Sequence, residues 1–206
     1  MKRTLPVLLS MLTIFPCSAA LALIPYPCGW YLDGSVADSQ VSGRDYPTVP
    51  DVDNQYSTGW NLGIGYKFMP YLGVDLSYTS YADTRLENSS DVTVAHDRHY
   101  SVNLDAKGIL PIKKTGFELF AKLGVARVNS EIGNVDETTA ADDDIVLNTN
   151  NEWTYGLFVG VGVDYALAQE VQVDLQWNRA YGNHNTGTQF NAFMLGVTIL
   201  FQTLTG

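Results

Sequence analysis

From Thr154 to Trp177 the chain reads TYGLFVGVGVDYALAQEVQVDLQW, and every second residue is large and apolar. Tyr155, Leu157, Val159, Val161, Val163 and Tyr165, then Val171, Val173, Leu175 and Trp177, alternate with small or polar residues; Phe158 is the exception. A strand points successive side chains to opposite faces, so the stretch predicts a hairpin with one apolar and one polar face. The same period recurs along the chain. The bulky members are Trp30, Leu32 and Val36; Trp60, Leu62, Ile64, Tyr66 and Phe68; Leu72, Val74, Leu76 and Tyr78; Tyr100, Val102, Leu104 and Leu110; Phe117, Leu119, Ala121, Leu123 and Val125; and Phe193, Leu195, Val197, Ile199 and Phe201. With the opening hairpin these predict eight strands.

Short connections (Met69-Pro70, Pro111 to Gly116, Ala168 to Glu170) alternate with longer polar ones at 40–57, 85–98, 131–151 and 182–189. That rhythm predicts an all-β fold, an eight-stranded antiparallel up-and-down barrel. The interior of such a barrel has room for little beyond its own side chains. Eight strands of Trp, Tyr, Phe, Leu, Ile and Val cannot all point into it, so the bulky set faces lipid and the small and polar set faces the lumen. Aromatics gather toward both strand ends: Trp30, Phe68, Phe117, Tyr165 and Phe201 by the short turns, Trp60, Tyr100, Trp153, Trp177 and Phe193 by the long connections. Two interfacial girdles are the mark of a transmembrane barrel.

The first 22 residues are a different kind of segment. Lys2 and Arg3 precede the apolar run Leu5 to Phe15, and Ala20-Leu21-Ala22 supplies the small residues of a cleavage site. Residues 1–22 are therefore expected to be a signal peptide and 23–206 a barrel domain. Cleavage removes two of the 12 basic residues and none of the 22 acids, giving a net charge of −12. So acidic a chain is no nucleic-acid partner. Cys17 leaves with the leader and Cys28 stays without an intramolecular disulfide partner.

The segments GVGVDYALAQEVQVDLQW (160–177), GNHNTGT (182–188), FMLGVTILF (193–201) and FELFAKLGVAR (117–127) resemble the transmembrane domain of OmpA-type outer-membrane proteins of Gram-negative bacteria. The resemblance implies an integral outer-membrane barrel with long loops at the cell surface and short periplasmic turns. The chain ends at Gly206, so the family's periplasmic peptidoglycan-binding domain is not expected.

The lumen set carries Asp33, Asp75, Asp105, Glu118, Asp164 and Asp174 against Lys67, Lys107 and Lys122. Buried charges must be paired, so a structural ion network of Lys67, Asp75, Asp105, Lys107, Glu118, Lys122, Asp164 and Asp174 is expected to fill and shut the lumen. Acid–base catalysis is the competing use of such carboxylates. His184, with Thr186, resembles the histidine–serine arrangement of outer-membrane lipid A deacylases only if Thr186 replaces the serine; it reads as a solvated loop histidine. His96 and His99 are too isolated for a metal site. The 131–152 stretch holds seven acids and neither Lys nor Arg, without calcium-loop spacing, and Asn88-Ser89-Ser90 means little in a bacterial protein. No catalytic, cofactor or metal residues are assigned.

The sequence reading is thus a monomeric, non-enzymatic, porin-like outer-membrane barrel in contact with lipid and lipopolysaccharide. Host or surface ligands are met by its four long loops; a lipid-modifying enzyme and a narrow passive pore are the alternatives. Mass spectrometry of the mature protein is expected to show cleavage between Ala22 and Leu23; a lipid-bearing Cys17 contradicts it.

Overall fold

The computed structural model describes residues 28–42, 56–81, 83–87, 93–112, 114–133, 152–183, 185–186 and 188–202. The proposed leader lies outside them. Among the described residues there is no helix. The strands are β1 (Gly29–Ser42), β2 (Tyr56–Met69), β3 (Leu72–Ser80), β4 (Thr84–Glu87), β5 (Thr93–Ile112), β6 (Phe117–Gly133), β7 (Glu152–Ala166), β8 (Val171–Tyr181) and β9 (Gln189–Gln202).

Consecutive strands pair antiparallel except β3 and β4; β3 pairs with β5 instead, and β1 pairs with β9 from Gly29↔Gln202 to Ser42↔Gln189. The sheet therefore closes into an eight-stranded barrel with no open edge in its wall. The short β4 stands above the wall and pairs only with the start of β5.

Strands run further toward the long connections than hydropathy alone predicts. The 85–98 segment, expected as a loop, contains paired strand: Thr84 to Glu87 lie against Thr93 to Asp97. The β-branched residues Thr93 and Val94 explain the gain, because such residues favour extended backbone whichever way they face. β6 likewise continues to Gly133, and β9 begins at Gln189.

The alternation matches the predicted faces on all eight wall strands. Leu62 is 58 % exposed, Leu123 61 % and Val161 51 %, whereas lumen-facing Asn61, Lys122 and Phe158 are buried. In water such a wall would be an exposed apolar patch around the whole molecule; in a bilayer it is solvated. Aromatic contacts brace both rims: Trp30–Tyr66 at 5.1 Å and Phe117–Tyr165 at 4.6 Å by the short turns, Trp60–Tyr78 at 5.2 Å and Tyr78–Tyr100 at 5.7 Å by the long connections.

The β5–β6 turn is held by Thr115, whose hydroxyl donates to the Ile112 carbonyl at 2.8 Å. It needs two left-handed residues, Lys114 (φ 68°) and Gly116 (φ 78°). Glycine takes that conformation freely, while a lysine there costs about 1–2 kcal/mol.

Val161 stands at mid-strand, opposite Ala121 on β6 and Trp177 on β8. Val161→Arg is expected to cost about 2–4 kcal/mol in bilayer-folded protein, against about 0–1 kcal/mol for Thr58→Arg at the rim. Urea titration in lipid vesicles measures both; equal costs contradict the assigned faces.

Candidate functional site: a layered polar lumen

The inward residues of neighbouring strands fall into layers. Nearest the short turns, Lys67 Nζ lies 3.2 Å from both carboxylate oxygens of Glu118, and Gln172 Nε2 donates to Glu118 Oε2 at 3.2 Å. Above them is the main charged layer. Lys107 Nζ donates to Asp164 Oδ2 at 3.0 Å, Lys122 Nζ lies 3.0 Å from Asp75 Oδ2, and the Tyr31 hydroxyl donates to Asp75. Phe120 packs among the ammonium groups, with Lys107 Nζ 4.1 Å and Lys122 Nζ 5.7 Å from its ring centre.

Along the sheet, like charges are neighbours. Lys107 pairs in register with Lys122, Asp75 with Asp105, and Asp164 with both Glu118 and Asp174. Adjacent like charges repel, so Lys107 and Lys122 each reach past the neighbouring strand instead. The ion pairs therefore join β2 to β6, β5 to β7 and β3 to β6, none of which are sheet neighbours. Of the eight residues expected in the network, these contacts join six. The Asp105 carboxylate has no hydrogen-bond partner among the described residues, and that of Asp174 accepts one bond, from Gln176 Nε2 at 3.0 Å. Asp33, Asp75, Asp164 and Asp174 line a cavity the size of about one water molecule with Lys107 and Lys122.

Glycines on the inner face make room for these long side chains. A Cβ on Gly65 would strike the Tyr31 ring, and one on Gly162 would strike the Phe120 ring and come within 2.7 Å of the Leu175 carbonyl. The glycine-rich face is thus well filled, by aromatic side chains of the paired neighbouring strands that lie over the glycines.

Above the charges lies a neutral polar layer. Asn61 Nδ2 donates to Thr79 Oγ1 at 2.8 Å, and Asn103 Nδ2 donates to Ser77 and Thr79 at 3.2 Å each. Above that is an apolar plug built around Val41, Tyr81, Val128, Phe158, Phe190 and Met194, with Ala37, Ala126, Ala180 and Ala192 between them. Phe158, the exception to the alternation, is a member of this plug, which hydropathy alone does not reveal. Inward parity was the available signal.

At the outer end of the plug, His99 Nδ1 is 2.7 Å from Ser130 Oγ, and its Nε2 is 3.6 Å from Asp97 Oδ2. Serine, histidine and aspartate in relay order suggest nucleophilic catalysis. Burial and hydrogen-bond direction argue against it. Ser130 is fully buried, and its hydroxyl donates at 2.6 Å to the Thr186 carbonyl, so its proton is committed and its oxygen accepts from His99. The cluster ties the β8–β9 connection onto β6. Thr186 itself bonds Asn183 Oδ1 through N and Oγ1 and is buried. His184 and acids 136–144 lie outside the described residues, as does the side chain of His96.

A closed barrel, lipid-facing outside and polar inside, is an integral membrane protein of the outer-membrane class. The chain belongs to the outer membrane protein beta-barrel domain family, whose sequence model matches residues 7–201. It is similar to an uncharacterized protein of Coxiella burnetii (strain RSA 493 / Nine Mile phase I), at 28% identity over 174 residues, 70% of this chain and 69% of that one. Among solved structures it resembles outer membrane protein OprG from Pseudomonas aeruginosa (14% identity, TM-score 0.60, 89% of this chain and 100% of that chain). It also resembles Ail, the attachment invasion locus protein of Yersinia pestis (18%, TM-score 0.54, 85% and 99%), which has been solved with the heparin analogue sucrose octasulfate. At such identities the structural likeness speaks for the OmpA-type barrel fold alone.

Lys122→Met leaves the Asp75 carboxylate buried without its ammonium partner and is expected to cost about 3–5 kcal/mol. Adding Asp75→Asn, which can still accept from Tyr31, is expected to recover most of that loss. Urea midpoints in detergent micelles test it, and equal stability of single and double variants contradicts the pairing.

Proposed function

We propose that this protein is a closed, non-enzymatic, monomeric barrel of the outer membrane whose interactions are made by the connections at 43–55, 81–92, 134–151 and 182–188. In this reading those connections face the outside of the cell, the short turns face the periplasm, and residues 1–22 are removed on export. The observation that carries it is the filled lumen. Ion pairs, amides and an apolar plug stand one above another, and the cavity among the charged residues has room for about one water. With the interior occupied, the connecting segments are the parts free to vary, and long connections add little entropic cost to a rigid scaffold.

The charge of the connections bears on the ligand. The 131–152 stretch carries Glu131, Asp136, Glu137, Asp142, Asp143, Asp144 and Glu152 without a basic residue. Acids in that number repel polyanions such as the heparin analogue solved in complex with Ail and favour cationic or divalent-cation-bridged surfaces, outer-membrane lipopolysaccharide and host ligands among them. Binding through this stretch weakens with salt, since exposed charges are screened beyond about 8 Å at physiological ionic strength.

Planar-bilayer recordings of the intact protein are expected to show no stable single-channel openings. Shortening all four connections is expected to preserve membrane folding and abolish cell-surface binding. Large, steady openings, or full binding by the shortened protein, contradict this reading.

A further inference from the structure

The main charged layer of the lumen does not balance. It holds five aspartates (Asp33, Asp75, Asp105, Asp164 and Asp174) and two lysines (Lys107 and Lys122), a formal excess of three negative charges. Lys107 is taken by Asp164 and Lys122 by Asp75. Around the one-water cavity, Asp33 Oδ1, Asp164 Oδ1 and Asp174 Oδ2 remain without a hydrogen-bond partner among the described residues. These residues are only 9 %, 1 % and 4 % exposed, so bulk water does not compensate them. Both oxygens of Asp105 also lack a donor, but Asp105 does not line the cavity.

The acids form an arc on one side of the barrel. Asp164 on β7 is the register partner of Asp174 on β8, and Asp33 stands on β1, with β9 between it and β8. Asp174 lies over Gly196 and Asp33 over Gly63, where a Cβ would collide with either carboxylate. Gln176 Nε2 donates to Asp174 Oδ1 at 3.0 Å, and Asn178 Nδ2 donates to the Gln176 carbonyl at 3.3 Å. Asp174 is thereby oriented with Oδ2 free. Buried carboxylates need positive charge beside them, and bare oxygen donors suit a hard cation.

We propose that Asp164 Oδ1 and Asp174 Oδ2 ligate one sodium-sized monovalent cation in this cavity, with the Asp33 carboxylate facing it as uncompensated charge. A divalent ion does not suit the place. Among the described residues no three His, Cys, Asp or Glu side chains form a metal centre. The cavity has no room for the shell of about 6–8 oxygens that calcium takes, or for the waters that magnesium keeps. Lys107 and Lys122 line the same space, and their ammonium groups repel a double charge more strongly than a single one. A single ion in a one-water space leaves the lumen shut.

The test reads urea midpoints of full-length protein in uncharged detergent micelles, with sodium chloride replaced stepwise by N-methylglucamine chloride, whose cation is too large to enter. Ionic strength stays constant, so the screening of exposed charges does not change. A ligand that binds only the folded barrel raises the folding constant by up to about tenfold for each tenfold rise in its concentration above half-saturation. Wild type is expected to show that rise with sodium, a smaller one with potassium and none with N-methylglucamine. Asp174→Asn, which keeps an oxygen for Gln176, is expected to lose the response, and Asp33→Asn to need more sodium for it. Asp105→Asn is expected to keep it, and unaltered heat-dependent mobility in SDS shows that the variants fold. In isotope-labelled wild type, exchanging sodium for N-methylglucamine is expected to move the carboxyl carbon resonances of Asp164 and Asp174 and leave that of Asp105 in place. Equal midpoints in sodium and N-methylglucamine overturn the site. A response kept by Asp174→Asn, or resonances of Asp164 and Asp174 that do not move, overturn its location. A larger response to magnesium than to sodium at equal ionic strength overturns the monovalent assignment.

Discussion

The constraint on which the structure depends is the width of an eight-stranded barrel. Its interior accepts roughly one layer of crossing side chains, and the alternation of a strand divides every sequence into an inner and an outer half. Once the outer half is Trp, Tyr, Phe, Leu, Ile and Val on all wall strands, its solvent must be lipid. The backbone obeys the same logic. In hydrocarbon every peptide group needs a partner, and closure of β1 onto β9 and of β3 onto β5 supplies one along the wall.

The inner half then has to be filled without aggregating charge. Like charges sit side by side along the sheet, and lysines reaching past the neighbouring strand resolve the repulsion. The wall is cross-braced by contacts that its own ladder cannot make, with glycines opposite them providing space. Burying such pairs carries a heavy desolvation cost, so their worth lies in fixing which strands face each other more than in net stability. The apolar plug above them resembles the core of a small soluble protein. It brings the β8–β9 connection down onto Ser130 and gives His99 a structural use.

Much of this is legible in the amino-acid sequence. The faces of all eight wall strands, the two girdles and the residues of the lumen follow from a period of two. Which lysine meets which acid does not follow, because Lys107 and Lys122 are cross-strand neighbours only in one register and find their partners two or more strands away. His99 and Ser130 are likewise direct partners in the β5–β6 register, which a hydropathy pattern does not reveal. The 85–98 segment misled because its strand pairing rests on β-branched propensity without an apolar alternation. Phe158 broke the pattern for a physical reason: it is an inward residue of the plug.

The central claim, that the bulky half of every wall strand faces hydrocarbon, is open to direct measurement. With Cys28 replaced by serine, single cysteines at Leu32, Ile64, Leu76, Leu104, Leu123, Val161, Leu175 and Val197 each carry a nitroxide in turn, one on every wall strand. Power-saturation spectroscopy in lipid vesicles compares collision with oxygen, which dissolves in hydrocarbon, and with a water-soluble nickel chelate. The account predicts high oxygen and low nickel accessibility at all eight positions. Nickel accessibility at any whole strand, or mobility and contact typical of a packed protein interior, would contradict it.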